Sequence, residues 1–104
     1  MKIAVTCDEN QAIAENLLDA EWFKIYEIEN GAIKDSELVH TINAGHKIIA
    51  PFLADKDVEA LICGFADGQA KRIYARFGLI LYSKKTGLAQ DIIDKFISGE
   101  FDYE

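Results

Sequence analysis

The side chains able to hold a soft ligand are few: two cysteines, Cys7 and Cys63, and two histidines, His40 and His46. Each cysteine follows an apolar run, Ile3-Ala4-Val5-Thr6 in one case and Ala60-Leu61-Ile62 in the other, so each is expected to close a strand. Thiolates are good ligands for iron–sulfur and copper-containing clusters. A free cysteine also serves as a small buried hydrophobe, and the residue type alone does not choose between the two. No C-x-x-C pair occurs and no histidine stands at helical spacing from a cysteine, which argues against a closed zinc site. A metal or cluster held here sits in an open site completed by further donors. Gly64 and Gly68 bracket Phe65-Ala66-Asp67 between a strand and a helix. Backbone N–H groups of such a loop point to the carboxyl edge of a sheet and can hold an anion, including a negatively charged sulfide-rich cluster, with Phe65 as a shield. The same glycines also suit a plain tight turn. His46, just ahead of a helix, is the better imidazole donor, and His40 reads as a half-buried sheet residue. Trp22, Tyr26, Phe101 and Tyr103 read as core or lid aromatics.

The elements that must position these residues follow from hydrophobic period and turn chemistry. Lys2 to Cys7 is a central strand ended by Asp8-Glu9-Asn10. Gln11 to Ala20 fits either a helical turn or an irregular loop. Trp22 to Ile28 is aromatic and β-branched, and Asn30-Gly31 after it signals a two-residue hairpin into a third strand over Ala32 to Ile42. Asn43-Ala44-Gly45 breaks that strand. Ile48, Ile49, Phe52 and Leu53 then give the apolar positions of a helix ending near Asp55, with Pro51 kinking it or moving its regular part toward Ile48. Val58 to Cys63 reads as a strand buried on both faces. Ala70, Ile73, Tyr74 and Phe77 form one stripe of the next helix, with Asp67 as its N-cap and Gly78 beyond its end. Leu79 to Tyr82 is a short buried strand. Thr86 or Gly87 caps a last helix whose apolar face carries Leu88, Ile92, Ile93, Phe96 and Ile97, and Gly99 stops it before an acidic tail.

The order is βββαβαβα. Right-handed crossovers then give an α/β fold, a five-stranded mixed sheet of order 3-2-1-4-5 with three helices, a ribonuclease H-like architecture. In that order Cys7 and Cys63 end neighbouring parallel strands, their backbones within about two strand spacings of ~4.8 Å. At 104 residues, half of them apolar and with one proline, the chain reads as a single ordered domain over residues 1–104. A net charge of −7 opposes binding to nucleic acid. No apolar run reaches the length of a membrane span and no signal-peptide pattern follows Met1, so no membrane association and a cytoplasmic location with free thiols are expected. Enzymatic readings find little support. Ile3-Ala4-Val5-Thr6 offers none of the strand carboxylates that a two-magnesium nuclease requires, and neither a nucleotide fingerprint nor a nucleophile–base arrangement can be identified. No catalytic residue is assigned.

Met1-Lys2-Ile3-Ala4-Val5, Trp22-Phe23-Lys24-Ile25-Tyr26 with Glu29-Asn30-Gly31, Val58 to Gly64, and a closing Ile97-Ser98-Gly99-Glu100 stand in an order and spacing that resemble the dinitrogenase iron-molybdenum cofactor-binding family. The resemblance covers nearly the whole chain. It implies a non-enzymatic carrier related to nitrogenase cofactor assembly, with an iron–sulfur or molybdenum-containing cluster as cargo and cluster-assembly proteins as partners. Residues for such a site are Cys7, His46, Cys63, Gly64, Phe65 and Gly68, with Cys7, Cys63 and His46 as the metal donors. Members of the family that bind a cluster commonly carry His-Phe-Gly where this chain has Asn16-Leu17-Leu18, and asparagine is a poor ligand for a soft metal. Before the first helix, Asn43-Ala44-Gly45-His46 is a reduced form of the family's glycine-rich run. The alternative implied by these departures is a cofactor-free adaptor or regulatory domain whose loop from Gln11 to Ala20 contacts a protein partner.

Overall fold

In a computed structural model, which describes residues 1–41 and 45–101, the sheet order is β3-β2-β1-β4-β5. The strands are β1 (Lys2–Cys7), β2 (Trp22–Glu29), β3 (Ala32–His40), β4 (Val58–Ile62) and β5 (Ile80–Tyr82). β2 runs antiparallel to both β1 and β3, while β1, β4 and β5 are parallel. This is the expected α/β fold, with β1 at its centre. Asn30 and Gly31 both take positive φ, at 55° and 76°, which matches the twist of a two-residue hairpin and explains the choice of residues. Ile42, Asn43, Ala44, Tyr103 and the end of the acidic tail lie outside the described residues.

The helices are α1 (His46–Asp55), α2 (Gly68–Arg76) and α3 (Ala89–Ser98). They split between the two faces of the sheet because the strands are apolar on both. Ala4, Phe23, Ile25, Leu61 and Cys63 pack with Ile49, Ala50 and Leu53 of α1 and with Ala70 and Tyr74 of α2. Ile3, Val5, Tyr26, Ala60 and Ile62 pack on the other face with Ala89, Ile92 and Ile93 of α3 and with Phe101. Burial of the valine, leucine, isoleucine and phenylalanine side chains among these is worth roughly 1.5–3 kcal/mol each before chain entropy is charged against it. Among the described residues no helix is long and apolar enough to cross a membrane.

Several element ends differ from expectation for identifiable reasons. α1 starts at His46, ahead of Ile48, and continues through Pro51 as one element, with Gly45 O accepting from the Ile48 and Ile49 N–H groups. Proline costs it only the bond to one carbonyl of its first turn. α3 is preceded by Leu88 in extended conformation, with no side-chain cap, instead of by Thr86 or Gly87. Its loop is held by other backbone: Ile13 N–H donates to Gly87 O at 2.7 Å and Ala89 N–H to Gln11 O at 2.8 Å. β5 is the sheet edge, so Ile80 is exposed although Leu79 beside it is buried. Phe77, counted in the apolar stripe of α2, is also exposed.

Candidate functional site at the carboxyl edge

Three parallel strands end at one edge, and each helix starts there. The connection from β1 to β2, residues 8–21, also lies across it. This segment is a loop containing a single 3-10 turn at Leu17–Asp19, and Asn16 caps that turn: its Oδ1 accepts from Leu18 N–H at 3.0 Å. Leu17 is buried among the residues under α1 and α2 and Ile13 among those under α3, so the loop is anchored on both faces. Leu18 is 63 % exposed and does not take positive φ, so the leucine at this place meets no backbone strain.

Cys7 is the last residue of β1, and Cys63 follows the last residue of β4, its neighbour in the sheet. The pairing of β1 with β4 begins at Lys2↔Val58, and an uninterrupted ladder from there would have set Cys7 opposite Cys63. A bulge intervenes, so that Ile3 pairs with Ala60, Ala4 with Leu61 and Val5 with Ile62. A one-residue slip changes the face of every later side chain. Cys63 therefore belongs to the α1/α2 face with Leu61, and Cys7 follows Ile3 and Val5 toward the α3 face. The sheet separates the two thiols.

Their surroundings differ accordingly. Burial pushes the Cys63 thiol up to about 12, opposed by the nearby Lys71 ammonium. The Cys7 thiol is also raised, first by burial and then by the Asp8 carboxylate, against a hydrogen bond from the Lys24 backbone and the Lys24 charge. Both thiols are free. Tyr74, in α2, lies between Cys63 and the last donor: its Oη is 3.3 Å from His46 Nδ1, the rings meeting edge to face, and its hydroxyl is raised by burial and then by the charge that Cys63 can carry. The structure thus puts Cys63 on the α1/α2 face, within electrostatic reach of the Tyr74 hydroxyl that His46 contacts, and leaves Cys7 on the other face within reach of Tyr26. Tyr26 is itself raised to about 12 by burial, then by Cys7 and by Asp94 of α3. Among the described residues no group of three or more His, Cys, Asp or Glu side chains is arranged to hold a metal ion.

The turn from Gly64 to Gly68 is less open than its glycines imply. Phe65 N–H donates to Glu15 O at 2.8 Å, Leu17 N–H donates to Phe65 O at 2.9 Å, and Asp67 Oδ1 accepts from Ala70 N–H at 2.8 Å as the N-cap of α2. Gly64 is buried, and a Cβ added to it would stand 2.4 Å from Ala14 O and 2.5 Å from Glu15 O. Its lack of a side chain is used by the chain's own backbone. Phe65 is 57 % exposed and borders a cleft of about 420 Å³ with Ala14, Glu15, Asn16 and Asp19. A second cleft of about 300 Å³, lined among others by Cys7, Asp8, Ala14, Asp19 and Trp22, lies on the other side of the loop. His40, expected to be half buried, is exposed on β3 with its ring stacked on Trp22 at 4.0 Å between centroids and its Nε2 3.5 Å from Glu21. Tyr74 is the participant that reading the sequence missed, since its place on the α2 stripe gives it a core role and nothing marks the hydroxyl.

The family model described as dinitrogenase iron-molybdenum cofactor matches residues 1–99, and the chain belongs to that family. An uncharacterised protein of Methanocaldococcus jannaschii is 29 % identical over 107 aligned residues, covering 98 % of this chain and 90 % of its own. The crystal structure of PH0822 superposes with a TM-score of 0.90 at 19 % identity, covering 100 % of this chain and 95 % of that one. The orange protein of Desulfovibrio gigas, solved in its apo form, gives 0.79 at 19 % identity, covering 99 % and 92 %. At those identities the two structures speak for the fold.

Proposed function

From membership of the dinitrogenase iron-molybdenum cofactor family we propose that the protein is a non-enzymatic carrier whose cargo is a metal–sulfur cluster, taken up at the carboxyl edge on the α1/α2 face. Cys63 and His46 are its donors. The observation that carries this reading is their shared neighbour Tyr74, with its hydroxyl 3.3 Å from His46 Nδ1. If Nδ1 donates its proton to the Tyr74 oxygen, Nε2 keeps its lone pair for a metal, and the partner fixes the ring as outer-shell groups do at metal-bound histidines. A cluster brings its own sulfides, so one thiolate and one imidazole suffice for an open site. Coordination releases the Cys63 proton that burial holds in the free protein. The Lys71 charge near Cys63 favours the thiolate and an anionic cargo. Gly64, Phe65 and Gly68 have supporting roles, with the exposed Phe65 ring as a cover. Cys7 is left out of the donor set because its thiol faces α3.

Anaerobic incubation with ferrous iron, sulfide and molybdate, then desalting, metal analysis and visible absorption, tests this. Cys63→Ser and His46→Ala are expected to lose most of the bound metal, Cys7→Ser to keep it, and Tyr74→Phe to bind about 10- to 100-fold more weakly. Wild type that stays folded, colourless and metal-free overturns carriage, and equal losses in Cys7→Ser and Cys63→Ser overturn the one-face donor set.

The local use of Asn16 favours a second reading, a cofactor-free interaction domain. Its side chain caps the turn beside it and leaves Leu18 exposed for a protein partner. A metal-free wild type is the outcome that selects this reading.

A further inference from the structure

Cys63 is completely buried, and backbone of the β1–β2 connection, at Ala14 and Glu15, lies directly against Gly64, the next residue in the chain. We propose that residues 14–16 form a strap that opens as a unit over Gly64 and gives a soft metal or a thiol reagent access to Cys63 while the sheet and helices stay folded. This deepens the carriage reading, because a buried thiol becomes a donor only through such an opening, but it concerns access to the thiol and is tested without any metal.

The strap is firmly fixed at its ends and lightly at its middle. On one side Ile13 is buried against α3, and the segment is tied to the β5–α3 loop through Ile13 N–H to Gly87 O and Ala89 N–H to Gln11 O. On the other side Leu17 and Ala20 are buried in the α1/α2 core. Between them, Glu15 is exposed and Ala14 and Asn16 only partly covered. Two backbone hydrogen bonds tie this centre to Phe65, one from Phe65 N–H to the Glu15 carbonyl and one from Leu17 N–H to the Phe65 carbonyl. Ala14 borders both clefts, of about 300 Å³ and about 420 Å³, so the centre has open space beside it, and its movement would lift the small Ala14 side chain from the edge of the α1/α2 core. Segments with few buried contacts and exposed hydrogen bonds are the ones that open below the global unfolding free energy. Gly64 is the seat of the strap. Its φ is not left-handed, so the demand for glycine there is steric alone: the carbonyl oxygens of Ala14 and Glu15 occupy the space of a Cβ.

The test is thiol labelling in a Cys7→Ser background, which leaves Cys63 as the sole thiol. Labelling by a small disulfide reagent is expected to be slow and nearly independent of urea at low concentration, as for a local opening, and native-state hydrogen exchange should show the Phe65 and Leu17 amides exchanging together, well before those of Val5 and Leu61. Gly64→Ala is expected to raise the labelling rate at least tenfold while the thermal transition stays cooperative. An unchanged rate in folded Gly64→Ala overturns the proposal. If that variant fails to fold, the glycine protein decides: labelling with the full urea dependence of global unfolding, or Phe65 and Leu17 amides protected as well as the core, overturns it, and urea-independent labelling with paired early exchange upholds it. A strap that opens in a protein found metal-free would leave the access device standing and remove the cargo.

Discussion

Cys63 is held neutral by its position: it ends a central strand, faces two helices, and has a single cation, Lys71, acting against burial. A group that binds its proton more tightly folded than unfolded contributes stability while it is protonated, and that contribution fades as pH climbs past the ordinary value toward the folded one. For Cys63 the window runs from 9.0 to about 12, and for Tyr26 from 10.0 to about 12. Thermal melts at about pH 8, 9.5 and 11 should therefore give a transition that is steady at first and then falls steeply. Cys63→Ala should start from a lower melting temperature, because it leaves a small cavity, and lose less of it on going alkaline. Equal alkaline losses in the two proteins would mean that the thiol is not held neutral in the folded state.

At the scale of elements, the part played by α2 rests on how it starts. Asp67 Oδ1 takes the Ala70 N–H, and the helix then presents Ala70 and Tyr74 inward, which is what places the Tyr74 hydroxyl against His46. Asp67→Ala should cost about 1 kcal/mol, as the loss of a side-chain N-cap usually does, read as a shift in the urea midpoint at unchanged slope. An unaltered midpoint would show that the α2 start is held by packing alone. These elements were legible in the sequence because their signals are local: Asn30-Gly31 for the hairpin, Asp67 and Gly78 for the limits of α2, an apolar run interrupted only by Glu59 for β4. What could not be read was the phase between strands. Both Lys2 to Cys7 and Val58 to Cys63 are six residues long, and counting alone aligns the thiols; the bulge at Lys2/Ile3 that turns them apart is settled by which faces the helices cover. The strap was hidden for a similar reason, since a glycine needed for a close approach has the same letter as one needed for a turn.

For the whole molecule, charge is the feature that acts at every distance. With a net charge of −7, repulsion is expected to weaken the folded state at low ionic strength. Raising ionic strength from about 0.01 M to about 0.15 M shortens the Debye length from about 30 Å to about 8 Å, so the melting temperature should rise. A fall would assign more weight to attractive pairs such as Lys56–Glu37 and Lys34–Glu29 than to the net charge, although exposed pairs of this kind are usually worth little. The stacked pair on β2 and β3 has an optical meaning as well. Trp22 is the single tryptophan of the chain, it lines the cleft beside the strap, and its ring lies 4.0 Å from that of His40. Its ultraviolet emission therefore originates at the carboxyl edge, on the Cys7 side of the β1–β2 connection. A metal–sulfur cluster absorbs strongly across that emission band, so its arrival would quench the light by energy transfer and shorten its lifetime, whereas opening of the strap alone would chiefly shift the wavelength. The protein carries its own lamp on the edge across which the two events have to be told apart.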